Sequence, residues 1–244
     1  KAPLRLGLAG GGTDVSPFCD DYGGSVLNIT INLYAYSKIE SNEGSSITNF
    51  ESSDLQITEC LPLNSKNTDD FELKLHLNTY RYFIDNYNQG KDIPMKLFTY
   101  CEAPRGSGLG SSSTVVVSMC KAFDSFFNIG FDSYELAEVA FYIERTLCNF
   151  SGGKQDQFSA AFGGFNFMEF GPGEKTIVNQ LKIQDNTLNA IESSLVIYFS
   201  GISRDSDRII NHQKESVKKN KKSFEALKSL KSESVNIKNM LLKD

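Results

Sequence analysis

Ala103-Pro-Arg-Gly-Ser-Gly-Leu-Gly-Ser-Ser-Ser-Thr114 lies between two apolar segments and sets the class of the chain. Upstream, Pro94–Glu102 reads as an apolar strand. Downstream, Val116, Met119, Phe123 and Phe126 recur at helical spacing. Gly106, Gly108 and Gly110 let backbone N–H groups face inward and let a ligand come close. A helix starting near Ser111 aims its free N–H groups and the positive end of its dipole at the same spot. Such a turn binds phosphate. It lacks the Gly-Lys-Ser/Thr ending of a Walker loop. No acidic residue follows a second strand at the spacing a dinucleotide fold needs. A flexible Gly/Ser linker is the rival reading, and it fits poorly between two apolar elements. The candidate phosphate contacts are Pro104, Gly106, Ser107, Gly108, Leu109, Gly110, Ser111, Ser112 and Ser113.

On the N-terminal side, Leu4–Ala9 predicts a short strand entering Gly10-Gly11-Gly12. Ser25–Glu40 predicts one long strand or a strand pair, and Glu43–Asp70 a hairpin. Leu73, Leu77, Tyr80, Ile84 and Tyr87 predict a helix stopped at Gly90. On the C-terminal side, a further helix over 133–147 takes Ser133 as N-cap. Phe165–Phe170 and Leu195–Phe199 predict strands, and the Lys-rich stretch from Arg204 onward predicts helix. Strands and helices mix without regular alternation, so the expected class is α+β.

The 244 residues are 40% hydrophobic and 23% charged, as in ordinary globular proteins. A net charge of -5 argues against a nucleic-acid partner. An acidic chain must therefore hold anions by local devices. The five cysteines are widely spaced with no C-x-x-C, which excludes a disulfide framework or zinc site and suits a reducing cytoplasm. Only His76 and His212 are present, which disfavours histidine-based metal or triad chemistry. No apolar run approaches a membrane span, and the opening residues are too short and Gly-rich for a signal peptide.

Pro104-x-x-x-Gly-Leu-Gly-Ser-Ser-Ser113 resembles the central motif of the GHMP kinases. Ala2-Pro-Leu-Arg-Leu-Gly-Leu-Ala-Gly-Gly-Gly-Thr-Asp14 resembles that family's first motif. Ser151-Gly-Gly-Lys-Gln-Asp-Gln157 resembles the segment carrying its catalytic aspartate. Phe162-Gly-Gly-Phe-Asn-Phe-Met-Glu-Phe170 and Ser200-Gly-Ile-Ser-Arg-Asp-Ser206 look most like the branch acting on D-glycero-D-manno-heptose 7-phosphate. The family's third, Gly-rich motif does not occur within the 244 residues. The resemblance implies a GHMP domain over residues 1–180 and the start of an incomplete, ferredoxin-like C-terminal domain over 181–244.

The resemblance also implies roles. ATP and magnesium would be the cofactors, with Ser112 and Glu144 on the metal. Asp156, read as lying in a Gly-flanked loop, would be the catalytic carboxylate, kept ionised by Arg5, which would also stabilise the transferring phosphoryl. Thr13 and Asp14 would meet sugar hydroxyls. Lys154 and Arg204 would grip a phosphate on the substrate, although a salt bridge is an equally good use for either. The expected partner is a small sugar phosphate, without nucleic acid or membrane. Oligomeric state is open, a homodimer among the options. A fucose- or galactose-type kinase and a catalytically silent sugar- or nucleotide-binding protein are the alternatives.

Overall fold

The computed structural model describes residues 1–65, 70–104, 106–172, 175–198 and 206–243. A seven-stranded sheet is built around one long strand. The strands are β1 (Ala2–Ala9), β2 (Gly24–Ser41), β3 (Ile47–Ser52), β4 (Ile57–Pro62), β5 (Met95–Cys101), β6 (Phe165–Phe170) and β7 (Thr176–Gln180). Their order is β4-β3-β5-β2-β6-β7, with β1 also paired to β2. The segment read as a strand or strand pair is thus a single strand of 18 residues. It hosts three partners: Asn28 faces Gly7 of β1 and Asn166 of β6, while Ala35 faces Ala2 of β1 and Cys101 of β5. Among the described strands, only β3 and β5 pair in parallel.

The helices are α1 (Phe18–Tyr22), α2 (Lys74–Tyr87), α3 (Ser111–Phe127), α4 (Ser133–Phe141), α5 (Gln155–Phe162), α6 (Asp185–Ser194), α7 (Ser206–Lys219) and α8 (Lys221–Leu241). Alternation along β6 explains the layering. Met168 and Phe170 enter a large core with Val116 and Phe123 of α3 and Phe83 of α2. Phe165 and Phe167 face a smaller core, against Leu188 and Ile191 of α6 and Val235 and Ile237 of α8. β6 is buried on both faces except at Glu169, and its four apolar side chains are divided between the two cores. Among the described residues no helix is long and apolar enough to cross a membrane.

Four expectations are corrected. The predicted helix over 133–147 is α-helical only to Phe141. Tyr142–Leu147 forms a π turn, in which Cys148 N donates to Ile143 O at 2.9 Å. The N-cap of α4 is Asp132, not Ser133: Asp132 Oδ1 accepts from Tyr134 N and Glu135 N, and Glu135 accepts in return from Asp132 N. Asp156 does not lie in a loop but in the first turn of α5. Leu195–Tyr198 pairs with no described strand, and Val196 is 88% exposed. Alternating β-formers make a strand only where a ladder partner exists. Phe199 lies outside the described residues.

Candidate active site

β1 delivers the first functional side chain through a break in its own ladder. Its pairing with β2 shifts register between Pro3 and Arg5. Arg5 N instead donates to Leu109 O of the glycine loop at 3.2 Å, so strand and loop are pinned together. The Arg5 guanidinium then reaches Asp156 Oδ1 through both Nε and Nη2, each at 2.7 Å, and donates to Gly108 O at 2.6 Å. At Gly110 the loop turns into α3 with φ +75°, which favours glycine, and a Cβ there would stand 3.1 Å from Asp156 Cγ.

The opposite wall comes from α3, the π turn and α5. Glu144 is 2% exposed. Ser112 Oγ donates to its Oε1 at 2.9 Å and Gln157 Nε2 to its Oε2 at 2.6 Å. Gln157 Nε2 also reaches Ser113 Oγ at 3.2 Å. The wider π turn is how a residue on this helix meets α3 and α5 together, a common use of such turns at functional sites. Arg145 comes next in the chain, with Nη1 3.3 Å from Glu144 Oε1.

Asp14 closes the third side. Its Oδ2 accepts from Gln155 N at 3.0 Å, while Oδ1 is buried with no hydrogen-bond partner among the described residues. A side chain at Gly153 would collide with this carboxylate. Burial pushes the Asp14 carboxyl above the usual range and the charge of Asp156 adds to this, against the Gln155 N–H, which pulls it down.

These groups line one cleft of about 670 Å³, together with Gly106, Gly108, Gly110, Ser111 and Ser113. Ile210 and Gln213 of α7 complete the wall, and Gln213 Nε2 donates to Gly12 O at 3.0 Å. A recess lined in part by Leu55, Leu73, His76, Val115 and Phe150 opens beside Ser111 and Ser112. Burial pushes the His76 imidazole down to about 4, so it is neutral there.

Other candidates are placed differently. Thr13 is fully buried, its hydroxyl 2.7 Å from Gly10 O and 2.9 Å from Ser25 O, so it fastens the turn that carries Asp14. Pro104 and Leu109 shape the loop through their carbonyls, which accept from Ser107 N and Arg5 N. The Ser107 hydroxyl is buried without a partner among the described residues. The Lys154 ammonium sits 5.5 Å from the Phe141 ring centroid. Arg204 lies outside the described residues. Two residues that contact Glu144 escaped the sequence reading: Arg145, which lines the cleft, and Gln157, fully buried behind it. Each adjoins a candidate in sequence, but only the packed helices reveal their contacts.

One carboxylate and one hydroxyl, Glu144 and Ser112, form a hard-oxygen pair at the helix N-terminus. That donor set fits magnesium, which takes few protein ligands beside phosphate oxygens and water.

The sequence model of the GHMP kinases N terminal domain matches residues 74–164. The chain is 39% identical over its whole length to the D-glycero-alpha-D-manno-heptose 7-phosphate kinase of Campylobacter jejuni, covering 71% of that protein. A crystal structure described as a D-glycero-D-manno-heptose 1-phosphate kinase, from Bacteroides thetaiotaomicron, superposes with a TM-score of 0.85 at 41% identity, over 99% of this chain and 72% of that one. The mevalonate kinase of Methanococcus jannaschii shares the fold, with a TM-score of 0.71 at 19% identity over 100% of this chain and 71% of its own.

Proposed function

Because this chain belongs to the GHMP kinase family, we propose that it transfers the γ-phosphoryl of ATP to the anomeric hydroxyl of D-glycero-D-manno-heptose 7-phosphate, giving ADP and the 1,7-bisphosphate. One observation carries the reading. The Arg5–Asp156 pair and the Ser112–Glu144 pair share a cleft with the N-terminus of α3. Phosphoryl transfer asks a protein for a phosphate cradle, charge neutralisation and a group to orient the attacking hydroxyl, and the cleft offers a candidate for each. The names of the two heptose relatives differ in where the substrate's phosphate sits, but both describe a phosphorylated heptose.

In this reading the loop from Gly106 to Ser113 cradles the nucleotide's phosphates and the recess beside Ser111 takes its base. Ser112 and Glu144 would hold magnesium, which would neutralise phosphate charge when bound. Asp14 orients the sugar through its unpaired Oδ1. Asp156 accepts the proton of the attacking hydroxyl, and Arg5 fixes that carboxylate in place. Lys154, two residues before Asp156, is the proposed contact within the described residues for the phosphate the sugar already carries, with Arg204 its partner. Residues 1–180 form the GHMP N-terminal domain and residues 181–244 begin a second.

The test is ADP release with ATP and magnesium across heptose 7-phosphate, heptose 1-phosphate, unphosphorylated heptose, fucose and galactose. The reading expects the highest kcat/KM with heptose 7-phosphate. Equal use of unphosphorylated heptose would contradict it, and preference for fucose or galactose would replace it with the corresponding sugar kinase.

A further inference from the structure

The cleft holds three carboxylates, Asp14, Glu144 and Asp156, and two arginines among its lining residues. Arg5 is already engaged at 2.6–2.7 Å by Asp156 and Gly108 O. Arg145 is engaged differently. Its guanidinium reaches Glu144 Oε1 at 3.3 Å, Ser113 Oγ at 3.4 Å, Ser151 O at 3.3 Å and Gly153 O at 3.4 Å. All four contacts are near the long limit of a hydrogen bond. By contrast, the bonds to Glu144 from Ser112 and Gln157 are 2.9 and 2.6 Å. Arg145 is therefore centred in the cleft wall by several weak contacts, and none is a tight ion pair. The backbone beside it is bare: any side chain at Gly152 would collide with the guanidinium. Its contact with Glu144 and Ser113 places it at the end where the glycine loop meets the π turn.

We propose that Arg145 is a second catalytic residue, one that binds the phosphoryl group while it is being transferred. This rests on the kinase reading above. In the step, a bond forms between the sugar hydroxyl oxygen and the γ-phosphorus as the bond from that phosphorus to the β–γ bridging oxygen breaks. The electron pair leaves with ADP, and the hydroxyl proton passes to Asp156. Arg145 exchanges no proton. Negative charge spreads over the equatorial oxygens of the transferring group, and a planar guanidinium offers them a fork of donors. Those bonds are stronger than the four long ones they replace, because three of the four go to neutral oxygens and the contact with the Glu144 carboxylate is stretched to 3.3 Å. Arg5 and Arg145 then act from two sides: one fixes the proton acceptor and the other meets the charge that develops.

The test uses the full chain with ATP, magnesium and heptose 7-phosphate. Arg145→Ala and Arg145→Lys are compared with wild type in kcat, in affinity for a non-hydrolysable ATP analogue, in thermal melting, and in trapping ADP with aluminium fluoride and sugar. We expect R145A to lose about 10²-fold in kcat, to keep analogue affinity and melting close to wild type, and to lose the trapped complex. Added guanidinium ion should restore part of the rate. R145K keeps the charge without the fork and should also fail to trap. If R145A does not fold, the R145K trap decides. A trapped complex as tight as that of wild type in either folded variant overturns the proposal. So does a joint fall in melting temperature and analogue affinity in both variants, which would make Arg145 a structural brace. If wild type releases no ADP with any sugar, the kinase reading itself fails and this proposal with it.

Discussion

Two of the glycine-rich turns that come after strands, Gly10–Asp14 after β1 and Gly106–Ser113 after β5, do opposite things. In the first, the turn's polar groups are already taken, by the turn itself and by its neighbours: Thr13 bonds Gly10 O and Ser25 O, and Gly12 O is covered by Gln213. Its output is one side chain, Asp14. The helix after it, α1, has only five residues, and its N-cap residue makes no side-chain cap bond. In the second, the turn feeds α3, which has 17 residues and packs through Val116 and Phe123 into the large core. A firmly anchored helix keeps its N-terminal N–H groups aimed at one point, where a single short turn cannot. Glycine content alone therefore does not make a phosphate cradle. The length and anchoring of the next helix decide whether the turn presents backbone donors or a side chain.

The largest effect is expected at the residue that both turns approach. Asp156→Asn should lower kcat by about 10²–10⁴-fold while binding of an ATP analogue, measured calorimetrically, stays close to wild type. Near-normal turnover would remove Asp156 from the chemistry.

For the first turn, Asp14→Asn should lower kcat/KM for the sugar by about 10- to 100-fold, the cost of one charge-assisted bond, with the KM for ATP unchanged. The same variant should melt higher at neutral pH. The folded Asp14 carboxyl titrates above its ordinary value because it is buried. Between the unfolded and folded values the native state binds more protons, so this group's contribution to stability falls as pH rises through the folded value. Asparagine removes that slope. A melting temperature that drops at pH 7, with the acid limb unaltered, would show that the ionised carboxylate stabilises the fold in spite of its burial.

For the second turn, Ser112→Ala and Glu144→Gln should each raise the magnesium concentration for half-maximal rate, by about tenfold or more. Because both bear on one ion, the double variant should be less than additive. Additive losses with an unchanged magnesium requirement would separate the two residues. The smallest effect belongs to Thr13→Val, which removes the hydroxyl that fastens the first turn. It should cost about 1–3 kcal/mol of stability in denaturant melts and leave the KM for ATP unchanged. A rise in that KM would show that the first turn takes part in nucleotide binding.

Much of the architecture is legible locally. The long β2, the β3–β4 hairpin, α2 and the loop–α3 junction come from apolar periodicity and glycine placement; in the two helices the predicted apolar positions are buried except Tyr87 and Phe126 at their C-terminal ends. The π turn is not legible, since Tyr142–Leu147 continues the apolar pattern of α4 and the widening depends on what Glu144 meets on other elements. The helical start of α5 is masked by Gly152 and Gly153, although Phe158, Ala161 and Phe162 at helical spacing before Gly163 carry the signal. Arg145 and Gln157 are invisible for a related reason: their partners Ser113, Ser151 and Gly153 converge only when α3, the π turn and α5 pack together. Leu195–Tyr198 has the composition of a strand, but composition does not supply a neighbouring ladder.

If the two turns work as described, this cleft joins a nucleotide's phosphoryl group to the anomeric oxygen of a phosphorylated heptose. Phosphorus NMR of wild type with ATP, magnesium and heptose 7-phosphate observes that bond itself. ADP should appear together with a second sugar phosphate resonance coupled to the anomeric proton, while the original phosphate signal persists. ADP with free inorganic phosphate alone, or a new phosphate coupled to any other sugar proton, would contradict it.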